Sequence, residues 1–205
     1  MLLSVGHVAR LMSVPEATVR SWIRREGLPA HRVQGRVALQ SALLFDWAAA
    51  RRLPLPASHF QQGGRWALVE ALDLGGVHRA VDGFEEVARL LSAKVRRPCD
   101  REMVRAVIAG RSLSAYTLAA DGVAVPSMSA PALVPGPPVV ALIVLSSPLQ
   151  SDGAPVNALF AALAPTLAAH RALVAELVEA LGQSAVAEAA RAGALAPLRA
   201  SVGAR

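Results

Sequence analysis

One cysteine, Cys99, stands in a chain of 205 residues. A lone cysteine forms neither an intramolecular disulfide nor a CxxC metal site, which suits a reducing compartment. Aromatic side chains make up only 4% of the chain, so a core must be aliphatic, built from Ala, Val and Leu. Long apolar runs are missing too. The most apolar stretch, Val139–Leu145, is far shorter than the roughly 20 residues of a membrane-spanning helix, and Pro135, Pro137 and Pro138 precede it. The opening MLLSVGHVAR lacks the charged and long apolar regions of a secretory signal. His7, His31 and His59 show no HxxxH-type metal spacing, and there is no glycine-rich phosphate loop or nucleophile elbow. The expectation is a cytoplasmic, non-enzymatic protein with no membrane contact, no metal and no cofactor.

What is present is apolar mass and an uneven charge. Hydrophobic residues are 54% of the chain, enough for a sizeable core. The net charge is +6, and it is concentrated at one end. Eight arginines and three acidic residues precede Gln61, while residues 61–205 carry 13 basic and 12 acidic side chains. A compact basic segment attracts a polyanion. Residues 53–64, LPLPASHFQQGG, combine two prolines, a polar pair and Gly-Gly, the composition of a linker. The expected organisation is a domain over 1–53, a linker over 54–64 and a second domain over 65–205.

In the basic segment, Ser4 is placed to cap a short helix with Val5, Val8, Ala9 and Met12 on its apolar face. Ser13 and Glu16 have capping-box spacing, so a second helix is expected from about residue 14 to Glu26, ended by Gly27. Its packing residues would be Val19, Trp22 and Ile23, with Val14 plugging the corner between the helices. Two helices joined so tightly form a helix-turn-helix. The second helix of that motif enters the major groove of double-stranded DNA. Its outward side chains are Thr18, Arg20, Ser21, Arg24 and Arg25. Arginine pairs bidentately with guanine, worth about 1–3 kcal/mol of discrimination. Leu28–Val37 then alternates around Gln34-Gly35, a hairpin with Arg32, Gln34 and Arg36 near its tip, and Ser41 is expected to cap a helix ending at Arg51-Arg52, with Leu44 and Trp47 inward. The plain alternative is a small helical interaction module with a solvated basic face.

This order, carried by SVGHVARLMSVPEATVRSWIRREGLPAHRVQGR and then SALLFDW, resembles the excisionase-type winged helix-turn-helix of the mercury-resistance-regulator superfamily. The resemblance covers about the first quarter of the chain. A single module makes few phosphate contacts, so its binding should be weak and salt-sensitive. A homodimer, assembled through the C-terminal segment, is the expected remedy.

Past the linker, strands are expected at Gly76–Val81, Val123–Val125 and Val139–Leu145. Helices are expected at Gly83–Lys94, at Asp100–Ala109 with Met103, Val104 and Val107 on one face, at Pro155–Leu163, at Pro165–Leu181, and last at Ser184–Ala192. Strands alternating with helices predict an α/β sandwich. Among its polar residues, His78 reads as a half-buried strand histidine, Cys99 as an ordinary thiol, and Glu85-Glu86 as a solvated face.

The stretch RSLSAYTLAADGVAVPS over 111–127, the strand Val139–Leu145 and QSDGAPVNALF over 150–160 resemble the phosphotransferase-system IIA domains of the fructose, mannitol and nitrogen-related type. The resemblance covers about residues 65–195. In that family a Gly-apolar-Ala-apolar-Pro stretch ends in a histidine that accepts a phosphoryl group; here that position holds Ser127. His170 falls where many members carry a second histidine, and Arg111 and Thr117 complete the degenerate site. A serine hydroxyl needs a neighbouring general base, and the residues flanking Ser127 supply none. The resemblance therefore implies a retained scaffold that senses, dimerises or docks a partner, such as a phosphotransferase-system or other regulatory protein, without phosphoryl transfer. Two alternatives remain open: a phosphotransfer-linked protein phosphorylated at Ser127 or His170, and an architectural recombination factor, whose typical chain is far shorter.

Overall fold

A computed structural model describes residues 2–33, 35–51, 53, 68–111, 113–151 and 154–203. The linker expected at 54–64 lies outside them, as do Gln34 and Arg52.

The chain opens with strand β1 (Leu2–Ser4) and helix α1 (Val5–Leu11). Ser4 caps α1 as expected: its Oγ accepts the His7 N–H at 3.2 Å. Helix α2 (Glu16–Arg25) follows. The capping box does not form. Pro15 takes the N-cap position without a side-chain bond, and Ser13 sits in the left-handed region at φ 54°, so its hydroxyl serves no helix end. Past Glu26, Gly27 turns the chain away at φ 72°, as expected.

Strands β2 (His31–Val33) and β3 (Arg36–Gln40) form the wing hairpin. β1, not foreseen, pairs antiparallel with the other side of β3. Helix α3 (Ser41–Ala50) begins at Ser41, which is buried inside the first turn rather than capping it. Leu44, Phe45, Trp47, Ala48 and Ala49 are all buried. A helix apolar around most of its circumference must be covered on several sides, and α3 packs both on the wing and on strand β5 (Tyr116–Ala120).

Among the described residues the second region opens with a helix not foreseen, α4 (Leu68–Gly75), running straight into β4 (Gly76–Val81). A Cβ on Gly75 would lie 2.0 Å from the Val140 carbonyl oxygen, so only glycine allows that approach. Next come α5 (Gly83–Ser92) and α6 (Pro98–Ala109). The buried face of α6 is Asp100, Val104 and Ile108, whereas Met103 and Val107 are exposed, a rotation of the expected stripe. Strands β5, β6 (Val123–Pro126), β7 (Val139–Ser151) and β8 (Ala154–Leu163) complete the sheet.

The β8 segment overturns an expected helix. Ala158–Leu163 is apolar on consecutive positions because both of its faces are buried, and short runs of that kind carry no periodic signal. Helix α7 (Leu167–Leu181) is capped by Thr166, whose Oγ1 accepts from Ala169 N–H at 3.1 Å. α8 (Ser184–Arg191) ends before Gly193, and a further helix, α9 (Ala196–Gly203), follows it.

The five strands lie in the order β4-β7-β8-β6-β5. β4 is parallel to β7 and β6 to β8; the other neighbours are antiparallel. Side chains alternate across this mixed sheet. Val140, Leu142, Ala158, Phe160 and Ala162 join the cluster of α4, α7, α8 and α9, while Ala141, Ile143, Leu159, Ala161 and Leu163 join that of α5 and α6. The first of these clusters continues without a break into α1, α2 and α3. The result is a three-layer α/β/α arrangement with the helix-turn-helix joined to one side. At the outer strand β4 the register shifts between His78 and Val81, and Ala80 has φ 53°.

Candidate nucleic-acid interface and Ser127 turn

Helix α2 buries Val19 and Trp22 and turns its other side to solvent. Arg20, Arg24 and Arg25 are exposed; Thr18 and Ser21 are half-buried. Arg20 reaches Glu16 one turn back at 3.3 Å, with both side chains more than half exposed. Such a pair is worth little and exchanges readily for a phosphate. Arg24 Nε donates to the Arg20 carbonyl at 3.3 Å. Arg32 and Arg36 are exposed on the wing. A groove of about 320 Å³ between α2 and the wing is lined by Arg20, Ile23, Arg24, His31, Arg32 and Val37. Three of the predicted DNA-reading residues thus meet on one groove. His31 joins them; its sequence expectation concerned metal spacing alone, although its place beside Arg32 on a basic hairpin was the available signal for the groove.

The C-terminal end of α2 is held by α3. Trp47 Nε1 donates to the Glu26 carbonyl at 3.0 Å, and the Arg51 guanidinium donates to the same oxygen. Arg51 also lies 4.6 Å above the Trp47 ring, which packs against Trp22 at a centroid distance of 5.2 Å.

The second polar constellation lies where β6 ends. Ser127 is buried, 5% exposed, rather than presented to solvent. It has an acidic neighbour that its flanking residues could not reveal: Asp46 of α3 lies against it. Asp46 Oδ2 accepts from Ser127 Oγ at 2.8 Å and Ser129 Oγ at 3.0 Å, and Oδ1 accepts the Met128 N–H at 2.7 Å. The two serine Oγ atoms are 2.6 Å apart, so two hydroxyl protons serve three short contacts and one is shared.

His170, fully buried on α7, fixes the turn from behind. Its Nε2 lies 2.9 Å from the Ser127 carbonyl oxygen. A carbonyl only accepts, so Nε2 carries the proton. Burial holds the imidazole below its ordinary pKa, outweighing the bond to Ser127, with Arg111 pushing the same way and Asp46 opposing. His170 is therefore neutral, and its protonated nitrogen is committed to the backbone rather than to Ser127 Oγ. Arg111 Nη2 donates to the Ala130 carbonyl at 2.8 Å. Thr117 lies on β5 opposite Val125, outside this network among the described residues. Elsewhere, His78 Nε2 contacts the Gly75 carbonyl at 3.1 Å, and Cys99 is an exposed free thiol. No helix among the described residues is long and apolar enough to cross a membrane.

A family model described as a helix-turn-helix domain matches residues 2–52. No curated protein and no solved structure matches the chain. The first quarter of the chain thus carries a helix-turn-helix domain, which points to a DNA-binding regulatory role, and a mixed α/β region with a five-stranded sheet follows it.

Proposed function

We propose that this protein is a DNA-binding transcriptional regulator in which α2 and the wing read double-stranded DNA through Thr18, Arg20, Ser21, Arg24, Arg25, Arg32 and Arg36. The observation that carries this reading is the shared groove that gathers Arg20, Arg24 and Arg32 on a helix-turn-helix. Exposed arginines with weak internal partners suit phosphates and guanine edges. Gln34 belongs to the same proposed set but lies outside the described residues.

The α/β region is, in this reading, a IIA-like scaffold without phosphoryl transfer, serving assembly and control. Support comes from Ser127 at the end of β6 and from His170 spent on its carbonyl. The competing reading, phosphorylation at Ser127 or His170, gains a carboxylate beside the hydroxyl, since Asp46 is a candidate base. Burial of both side chains argues against it.

Sedimentation of the full protein with mixed duplex fragments at two salt concentrations tests the function. A dimer that binds selected fragments, more weakly at high salt, is the expected result. No binding at low salt would return the basic face to a protein-interaction role. Incubation with a phosphocarrier system and a labelled phosphoryl donor separates the second reading: label lost in a Ser127→Ala/His170→Ala variant would favour it.

A further inference from the structure

Asp46 and Trp47 are neighbours on α3, and they grip different parts of the molecule. Trp47 holds the Glu26 carbonyl at the end of α2. Asp46 holds the turn 127–129, some eighty residues away in sequence, through one backbone and two hydroxyl donors. The turn is itself anchored to the α/β region by His170 on one carbonyl and Arg111 on another. One short helix therefore stands between the reading helix and an anchored turn.

The contact is polar and directional. A carboxylate accepting three hydrogen bonds is held more strongly and more specifically than neutral pairs are. It also lies at the edge of the packed surface, because Asp46 is half-buried and Ser129 is exposed. Contacts of that kind open locally without loss of the core.

We propose that Asp46 is a latch: the Ser127–Ser129 turn is a receptor for this chain's own carboxylate, and its engagement fixes the orientation of the reading helix on the α/β region. The natural occupant of the turn is the helix-turn-helix of the same molecule. A partner that engages Ser127 and Ser129 must first displace Asp46, and that displacement loosens the end of α2. The arginines of α2, Arg20, Arg24 and Arg25, stay exposed while the latch is closed, so the latch orients the reading face and does not cover it. The latch does not depend on the DNA-binding reading.

Amide hydrogen exchange on the full chain tests it, without DNA. The probes are Met128, whose N–H goes to Asp46, and Leu28, whose N–H goes to the Trp22 carbonyl at the end of α2. Leu142 and Phe160, central in the sheet, serve as controls. Asp46→Ala should speed exchange at Met128 and Leu28, as loss of a charge-assisted bond would, by about tenfold or more beyond the change at the controls, which report the loss of global stability. Asp46→Asn keeps an acceptor oxygen and should give a smaller change. Ser129→Ala, at an exposed position, should give an intermediate one, and it carries the test should Asp46→Ala not fold. Unchanged exchange at Met128, equal acceleration at Leu142 and Phe160, or a response at Met128 with none at Leu28 would each overturn the latch. A failure to bind DNA would leave these readouts intact.

Discussion

The two polar constellations of this molecule are built in opposite ways. On α2 and the wing, full charges stand in water and spend little on internal partners. At the Ser127 turn, the Ser127 hydroxyl and a backbone N–H are withdrawn from water and, together with the exposed Ser129 hydroxyl, are met by one carboxylate of the same chain. The first arrangement leaves its free energy for an outside polyanion; the second has already used it within the fold. A polar cluster is therefore judged by what its donors touch, and a serine in a suggestive motif can be a structural fastening.

The largest expected effect breaks the comparison at the exposed side. Combined Arg20→Ala, Arg24→Ala and Arg25→Ala should lower affinity for duplex DNA by about a hundredfold or more at low salt and flatten the salt dependence by about three phosphate contacts. Thermal stability should barely move, since these side chains are exposed. Salt-titrated binding and a melting curve read both at once.

The buried side should respond in the reverse sense. Asp46→Ala should cost about 2 kcal/mol of folding stability, because it strips a charged acceptor from three donors, one of them the hydroxyl of buried Ser127. Denaturant unfolding measures it. A cost near zero would mean that water replaces the carboxylate without loss.

A third test sharpens the comparison through pH. The folded state holds the His170 pKa below its ordinary value of 6.5. The neutral form is the one that folding favours, so its contribution is complete above about pH 6.5 and is lost as pH falls below that value. While folded and unfolded states differ by one proton, the slope approaches about 1.4 kcal/mol per pH unit. The ring is faced by Arg111 and Arg171, which oppose protonation, and by Asp46 and the Ser127 carbonyl, which favour it. His170→Gln should flatten the unfolding free energy between pH 7 and 5.

The smallest effect serves as a control within the helix-turn-helix module. Ser4→Ala removes the cap of α1 and should cost about 1 kcal/mol, with no change in the salt dependence of DNA binding.

The module was legible in the sequence because its signals are local. Ser4, Gly27, the paired hairpin strands and the buried Trp22 each mark a feature within a few residues of themselves. Of the larger region, β4, α5 and α7 announced themselves by apolar spacing and flanking turns. β8 did not, because a strand buried on both faces loses the alternation that distinguishes it, and its alanines favour a helix locally. The stripe on α6 was misplaced because Met103 and Val107 are as apolar as the residues that pack. At the candidate site, Ser127 and His170 could be named in advance, whereas Asp46 could not. Nothing in its own neighbourhood ties it to a turn some eighty residues on, and only the packing of α3 on β5 brings them together.

The kink in strand β4 bears on how copies of the chain meet. An open outer strand is a template on which another polypeptide can continue the hydrogen-bonded ladder. Here the register breaks between His78 and Val81, Ala80 turns left-handed, and exposed Arg79 gives its guanidinium to the Gly193 carbonyl at 2.9 Å. The opposite outer strand, β5, is roofed by α3. Among the described residues, neither border of the sheet offers a straight, bare run of backbone, so growth into fibrils by strand addition is discouraged from both ends.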